Sequence, residues 1–216
     1  MLIRGGHMKN NKSKNNSGYS LIELVIVIAI IAVLAAMALV SVTIIHSARA
    51  KDAALKLDSE VSELITKNKN MSPDDKSNAK YGLVVYCEDD YYKIAEVITV
   101  KSSSGWDGYA KYDSTHNKYV QISTVDEIYY VDDPIVIPRT VEIEFEGKSI
   151  SFKNGAEDDK GAGFKPGELD GTGAVCIMFD KRGTCTSGYG TYKFKKKNGN
   201  VVSRVTIRQN GSHEVR

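Results

Sequence analysis

The longest apolar run of the chain lies close to its N-terminus, between Leu24 and Ile45. Leu, Ile, Val and Ala dominate this run, which contains no charged residue and no Pro. About 20 apolar residues are enough for a helix to cross the hydrocarbon core of a membrane. The pattern therefore predicts a membrane-length helix that is apolar on every side.

The helical pattern continues beyond this run, but it becomes one-sided. Apolar residues then recur at the i, i+3, i+4 and i+7 positions of one face, namely at Ala50, Ala53, Ala54, Leu57, Val61, Leu64 and Ile65. Lys67–Asn70, followed by Ser72-Pro73, gives a stop signal. We predict one helix from about Ser20 to Asn68, on the order of 70 Å long. Residues 19–45 are the predicted transmembrane segment, and residues 46–70 are the predicted amphipathic continuation that packs on a sheet.

After Pro73 the apolar period changes to two, as in β-strands. The predicted strands are Tyr81–Cys87, Tyr91–Val100, Tyr119–Thr124, Glu127–Val131, Thr140–Glu146, Ser149–Lys153, Ala174–Phe179, Thr191–Lys197 and Val201–Arg208. Glu88-Asp89-Asp90 and Asn198-Gly199 are predicted hairpin turns. Residues 101–118 and Asn154–Gly173 are predicted loops, with Trp106 anchoring the first loop on the domain. The predicted fold class is α+β: a long N-terminal α-helix packed on an antiparallel β-sheet domain at residues 71–216.

A short polar segment with three lysines precedes the helix and ends at Gly18, and Tyr19-Ser20-Leu21-Ile22-Glu23 follows. A secretory signal has an apolar stretch of about 7–15 residues with its small-residue cleavage site after it. Here the small residue comes first, so a cut after Gly18 would leave the apolar segment on the mature chain. The alternative is an ordinary signal anchor with an accidental Glu. We expect translation to begin at Met8, because Arg4-Gly5-Gly6 is what a purine-rich ribosome-binding site would encode in frame.

This order of parts resembles the N-terminal signal of type IV prepilins and pseudopilins, whose leader ends in Gly and whose fifth mature residue is Glu. The resemblance implies that prepilin peptidase removes residues 1–18 by cutting between Gly18 and Tyr19, and that it methylates the Tyr19 amine. It also implies that Glu23 pairs with the Tyr19 ammonium of a neighbouring subunit during assembly. The family usually has Phe at the first mature position, and Tyr19 keeps the aromatic ring.

The C-terminal half is similar to the GspH/FimT group of minor pseudopilins and minor type IV pilins. The similarity lies in Ile177–Gly183, in the hairpin Thr191–Arg208 and in the final Gly211–Arg216. It implies a long helix with two β-sheets. Some FimT-like members bind DNA through a basic C-terminal region. The usual terminal Gly-Arg pair of the group appears here as Gly211-Ser212, with His213-Glu214 interposed.

The basic residues of the last predicted hairpin have two interpretations. Lys193, Lys195 and Lys197 alternate with apolar residues, as on a solvated sheet face that opposes the glutamates of Thr140–Glu146. Alternatively, these lysines form a DNA-binding surface together with Arg204 and Arg208, because phosphate binding needs clustered Lys and Arg. The formal net charge is only +2, which demands no polyelectrolyte partner. We favour the solvated face.

The three cysteines, Cys87, Cys176 and Cys185, permit three single-disulfide pairings. Cys176 and Cys185 flank a predicted hairpin and are the expected pair if a disulfide forms. The strand register decides this question, because it can also place the two side chains on opposite faces of the sheet.

Catalysis has little support in the sequence. The chain contains no Gly-x-Ser-x-Gly, no His-Glu-x-x-His and no phosphate-binding Gly loop followed by Lys-Ser or Lys-Thr. The four histidines lie on different predicted elements, and the adjacent acids occur where turns are expected. We predict a non-enzymatic protein without a cofactor or a metal.

The predicted function is that of a structural subunit of a type IV pilus or of a type II secretion-like pseudopilus, a minor rather than a major pilin. The alternatives are a DNA-binding minor pilin of an uptake pilus, a major pilin of the same superfamily and a membrane-anchored enzyme. The resemblance implies four partners: other pilin or pseudopilin subunits, prepilin peptidase, the inner-membrane assembly platform and the membrane itself. It also implies a single-pass membrane protein with its globular domain outside the cell, which then joins an extracellular fibre.

Overall fold

The computed structural model describes residues 19–73, 78–101, 107–122, 128–150, 173–197 and 199–216. The chain divides into two compact units, an N-terminal unit that ends at Val42 and a C-terminal unit from Thr43 to Arg216. Several predicted features lie outside the described residues: the leader with Gly18, Trp106, Asn198 and all but the last residue of the predicted loop Asn154–Gly173.

A single long helix, α1, runs from Leu21 to Asn70. The helix contains no Pro, which would break it. Pro73 lies just after its end, and Pro disfavours the helical conformation in the residue that precedes it. Lys67 and Lys69 lie in the last turn, where positive charge is favourable beside the helix C-terminus. The predicted helix is confirmed, and its observed ends lie within two residues of the predicted ones.

The part of α1 within the C-terminal unit buries one face. Ala50, Ala53, Ala54, Leu57, Val61 and Leu64 are buried, and Ile65 packs beside them. The charged residues of the same segment lie on the other faces, as in the exposed ion pair between Lys56 and Asp52. The predicted apolar stripe is therefore the core face of the helix.

The first sheet of the C-terminal unit has seven antiparallel strands. Six are hydrogen-bonded in the order β4-β3-β2-β1-β8-β9, and β5 pairs with β2 beside this path. Their bounds are Lys80–Glu88 for β1, Tyr91–Lys101 for β2, Asp107–Asp113 for β3, Lys118–Gln121 for β4, Ile135–Val136 for β5, Val175–Phe179 for β8 and Cys185–Ser187 for β9.

The second sheet has five antiparallel strands in the order β12-β11-β10-β6-β7. Their bounds are Val141–Phe145 for β6, Lys148–Ser149 for β7, Gly190–Lys196 for β10, Val201–Ile207 for β11 and His213–Val215 for β12. The predicted alternation is confirmed on β6, where Val141, Ile143 and Phe145 are buried and the glutamates between them are partly exposed. On β10 the aromatic residues Tyr192 and Phe194 are buried in the same way.

One hydrophobic cluster joins the helix to both sheets. It contains the buried stripe of α1 together with inner residues of the first sheet, such as Leu83 and Ile177, and of the second sheet, such as Phe145 and Phe194. A separate cluster covers the opposite face of the first sheet and includes Val84 and Met178. The first sheet is therefore apolar on both faces, which explains the nearly continuous burial of β1 and β8.

The hairpin between β1 and β2 has the predicted turn. Glu88 pairs with Tyr91, and the two residues between them, Asp89 and Asp90, have φ angles of 52° and 64°. Two consecutive positive φ angles define the primed turn that matches the twist of a two-residue hairpin. Asp tolerates this conformation better than most residues do.

The segment Ile177–Gly183, quoted above for its similarity to GspH/FimT proteins, forms the end of β8 and the turn that follows. Phe179 is buried, and Asp180 Oδ1 accepts hydrogen bonds from the backbone N–H groups of Arg182 at 2.9 Å and Thr184 at 2.8 Å. Gly183 has a φ of +87°, which a residue with a Cβ rarely adopts. The motif therefore builds a tight turn between β8 and β9.

The structure corrects the predicted strand pattern at several places. Residues 101–118, predicted as a loop, contain β3, because Asp107–Asp113 pairs with β2 and β4. The predicted strand Glu127–Val131 is reduced, in its described part, to one bridge between Tyr130 and Val97. The short edge strands β5, β9 and β12 were not predicted, because two or three residues carry too little periodicity to identify a strand.

Candidate processing and assembly site

The N-terminal end of α1 has a defined cap. The backbone carbonyl of Ser20 accepts a hydrogen bond of 3.2 Å from Leu24 N–H, which is the first bond of the helix. The backbone N–H of Ser20 donates a hydrogen bond of 2.9 Å to Glu23 Oε2. Ser20 is therefore the N-cap and Glu23 the third helical residue, which are the positions that a Ser-x-x-Glu capping box requires.

The carboxylate of Glu23 lies where a helix favours negative charge. It is the acidic residue of the first turn, beside backbone N–H groups that have no partner within the helix. Tyr19, the residue that the cut after Gly18 would expose, is 89% exposed. The predicted processing and assembly residues in the described part of the chain, Tyr19 and Glu23, thus lie together at one helix end. Gly18 falls outside the described residues.

The helix that begins here is long and apolar enough to cross a membrane. Its most apolar 18-residue window has a mean hydropathy of 3.2, and none of that window is buried in the structure. Large apolar side chains such as Leu24, Ile31 and Leu34 are more than half exposed. A soluble protein rarely exposes so much contiguous apolar surface, so this helix requires lipid or other protein around it.

The comparisons with known proteins identify the same segment. Residues 13–39 match the family described as the prokaryotic N-terminal methylation motif. No curated protein and no solved structure matches the chain. The match begins in the polar segment before Gly18 and ends within α1, and it does not extend into the C-terminal unit.

The matched motif supports the type IV pilin and pseudopilin superfamily, and the α+β fold is consistent with it. An apolar helix follows the motif directly, and an antiparallel β domain follows the helix. The motif supports a type IV pilin-like structural subunit, and the apolar N-terminal helix fits membrane anchoring.

Two of the five basic residues of the possible DNA-binding surface, Lys195 and Arg208, are paired with acids. Lys195 Nζ contacts Glu144 Oε1 across the β10–β6 pair. Arg208 Nη2 lies 2.7 Å from Glu214 Oε1. Lys193 faces Glu144 on one side and Arg204 on the other, in register, and Lys197 is exposed. The five residues lie on the adjacent strands β10 and β11 or beside their ends.

The possible Cys176–Cys185 disulfide is not present in the structure. No disulfide joins the three described cysteines, and Cys176 and Cys185 belong to clusters on opposite faces of the first sheet. Side chains alternate between the faces of a strand, so Cys176 points away from the face that holds Ile177 and Cys185. The sequence left open that the strand register places the two cysteines on opposite faces of the sheet, and this arrangement is the one observed.

A Ser–His–Asp cluster that the sequence did not reveal lies between α1 and β12. Ser62 Oγ lies 3.0 Å from His213 Nε2, and Asp58 Oδ1 lies 3.7 Å from the same nitrogen. In a catalytic triad Ser and Asp meet opposite ring nitrogens. The arrangement therefore anchors the C-terminal strand to the helix and is not a relay. Within the described ranges, no group of three or more His, Cys, Asp or Glu residues is arranged to hold a metal ion.

Two contacts that fix the end of α1 were also missed. The side chain of Asn68 donates to the Tyr81 carbonyl at 2.8 Å and accepts from the Tyr81 N–H at 3.1 Å. Lys67 Nζ lies 2.6 Å from Glu96 Oε2 on β2. The sequence identified Asn68 and Lys67 only as a helix stop, since their partners are distant in the chain. The Ser20–Glu23 capping box, in contrast, is a local signal that the sequence alone contains.

Proposed function

We propose that this protein is a minor pilin or pseudopilin that prepilin peptidase cuts between Gly18 and Tyr19 and methylates at the Tyr19 amine. The subunit is then held in the cell membrane by residues 19–45, with its C-terminal unit outside. An inner-membrane assembly platform moves it into a type IV pilus or a type II secretion-like pseudopilus. The observation that carries the proposal is the capped Glu23 carboxylate at the start of an apolar, unburied helix that bears the methylation motif.

The physical reason for assembly follows from two exposed features. Outside the membrane, packing against the same surface of other subunits removes the apolar surface of the helix from water. Within lipid, the gain comes from van der Waals packing between helices. Glu23 supplies the register. A carboxylate in apolar surroundings is costly unless it is paired, and the new Tyr19 ammonium of a neighbouring subunit is a partner of opposite charge.

Two features of the C-terminal unit support a minor subunit of the GspH/FimT type. The helix packs on two sheets of seven and five strands, which is the arrangement that the resemblance implies. The segment Ile177–Gly183 forms a tight turn whose Phe, Asp and Gly each have a structural task. The residues that resemble GspH/FimT proteins in this segment are therefore those that build the turn between β8 and β9.

The charge pairs on the second sheet argue against the DNA-binding alternative. Lys195 and Arg208 already have acidic partners, which would have to be displaced by phosphate groups. A gel-retardation assay with duplex DNA tests this point on the detergent-solubilised chain. We expect no retardation at 150 mM salt, and no change in the variant Lys193→Ala, Lys195→Ala, Arg204→Ala. Retardation that this variant abolishes would establish the DNA-binding alternative.

The test of the assembly role compares Glu23→Ala with Glu63→Ala in cells that produce the fibre. Glu63 lies on the same helix, is exposed and serves as the control for loss of one helical carboxylate. We expect Glu23→Ala to be cleaved normally but to form no fibres by electron microscopy, whereas Glu63→Ala forms fibres at the wild-type level. Wild-type fibre numbers from Glu23→Ala would refute the pairing role.

A further inference from the structure

Glu23 has a partner within its own chain, before any neighbour is present. Its Oε2 atom accepts the Ser20 backbone N–H at 2.9 Å. In the described part of the chain, no hydrogen bond reaches its other oxygen, Oε1. The carboxylate is therefore held by one oxygen only, directly beside the residue that becomes the mature N-terminus.

We propose that Ser20 is a positioning residue for assembly: its backbone N–H fixes the Glu23 carboxylate at the helix end and leaves Oε1 for the amine of the next subunit. This inference rests on the proposed function and adds a task that Glu23 performs in the single subunit. Glu23 first caps its own helix, and it then pairs with a neighbour without giving up the cap.

The apolar surroundings of the helix give this bond its importance. Away from water, both a carboxylate and an open backbone N–H are costly, and the bond between Ser20 and Glu23 satisfies both groups at once. The positive end of the helix dipole adds a favourable field for the same carboxylate. A side chain that is already ordered also loses less conformational freedom when a neighbour docks.

The two tasks of Glu23 have different chemical requirements, so substitutions separate them. Glu23→Gln keeps the side-chain length and an oxygen acceptor but loses the charge. Glu23→Asp keeps the charge but is one methylene shorter, and the capping box uses Glu or Gln at this position. Ser20→Ala is the matched control, because it removes the hydroxyl group and keeps the backbone N–H.

The cap is measured on the full precursor, made without prepilin peptidase, uniformly labelled with ¹⁵N and placed in lipid bicelles. The readout is the hydrogen-exchange rate of the amide of residue 20, with circular dichroism confirming equal helix content. We expect slow exchange in the wild type, Glu23→Gln and Ser20→Ala. Exchange should be about fivefold faster in Glu23→Ala and Glu23→Asp, the factor expected for loss of one hydrogen bond of ordinary net strength. Equal rates in all five proteins would overturn the proposal.

The consequence for assembly is measured as the number of fibres in cells that contain the peptidase. Glu23→Gln should form none, since it lacks the charge, and Glu23→Asp should form several-fold fewer than the wild type despite its charge. Fibres at the wild-type level from Glu23→Asp would overturn the positioning role. Failure of the proposed function gives a different result: normal fibres from Glu23→Ala together with its faster amide exchange.

Discussion

Lys67 and Glu96 join the last turn of α1 to the middle of the first sheet, with Nζ and Oε2 separated by 2.6 Å. Their side chains are only 20% and 10% exposed, and the second oxygen of Glu96 is buried without a hydrogen-bond partner. Glu96 lies on the same face of β2 as Ile94, which belongs to the core shared with the helix. The pair therefore holds the helix on the sheet at a place where water contributes little.

Removal of Lys67 should destabilise the C-terminal unit strongly. Lys67→Met leaves the Glu96 carboxylate largely buried and unpaired, and we expect a loss of about 3 kcal/mol in the free energy of unfolding. The control is Lys56→Met, which breaks the exposed pair with Asp52 and should cost less than about 1 kcal/mol. Urea unfolding of the detergent-solubilised chain, followed by the β-sheet signal in circular dichroism, measures both. Equal losses would contradict the role of the pair.

Acidification should favour the folded state through Glu60 and Glu96. Burial raises the pKa of Glu60 most, and the negative charge of Glu63 raises it further. Burial also raises the pKa of Glu96 by more than the hydrogen bond from Lys67 lowers it. Folded protein thus binds protons at a pH at which the unfolded chain has released them. The stabilisation is complete below the unfolded pKa of 4.5 and is lost as the pH rises through the raised folded values.

This pH dependence is tested by comparing wild type and Glu96→Gln by urea unfolding at pH 7 and pH 5. The free energy of unfolding of the wild type, minus that of the variant, should increase as the pH falls. Asp52→Asn, which removes an exposed acid of the same helix, controls for general charge effects. A difference that stays constant or shrinks on acidification would show that the pKa of Glu96 is not raised.

Two glycines with nearly equal φ angles differ in the space around them, so substitution by Ala can distinguish the cost of backbone strain from the cost of a steric clash. Gly211 and Gly147 have φ angles of +84° and +79°. A Cβ at Gly211 would lie 1.9 Å from the Gly183 carbonyl oxygen, whereas one at Gly147 would meet nothing within 4 Å. Gly147→Ala should therefore cost about 1 kcal/mol, the strain of a left-handed residue. Gly211→Ala should cost about 3 kcal/mol or more, because two turns must also move apart. Similar melting temperatures for the two variants would contradict this packing.

The thiols should differ in their reactivity in the folded protein. Burial raises the pKa of Cys185 to about 12, and the thiolate is the reactive species. Iodoacetamide at pH 8 should therefore modify Cys185 only after unfolding, whereas Cys87, which is partly exposed, should react earlier although burial also raises its pKa. Peptide mapping by mass spectrometry locates the labels. A Cys176–Cys185 linked peptide under non-reducing conditions would contradict the observed strand register.

The sequence predicted the features that depend on residues close together in the chain. The extent of the helix follows from the apolar run and the one-sided periodicity after it, and its C-terminal end follows from the Ser72-Pro73 stop. The β1–β2 hairpin follows from two β-rich runs around Asp89-Asp90. Alternation along β6 and β10 was sufficient to place Phe145 and Tyr192 in the core.

The features that were missed depend on partners that are distant in the chain. Strand β3 is held by β2 and β4, and its mixed polar residues gave no clear period. The separation of Cys176 from Cys185 depends on which residue of β8 faces the helix. No pattern of neighbouring residues reveals the Lys67–Glu96 pair or the Asn68–Tyr81 pair, because each pair joins α1 to a strand that it meets only in the folded domain.

In the proposed function, peptidase processing exposes Tyr19 at the start of the assembly helix, four residues before Glu23. The most direct measurement is the N-terminal sequence and intact mass of the chain extracted from the membranes of cells that contain prepilin peptidase. We expect a chain that lacks residues 1–18 and begins with N-methylated Tyr19. A chain that retains the leader, or that begins at any other residue, would contradict it.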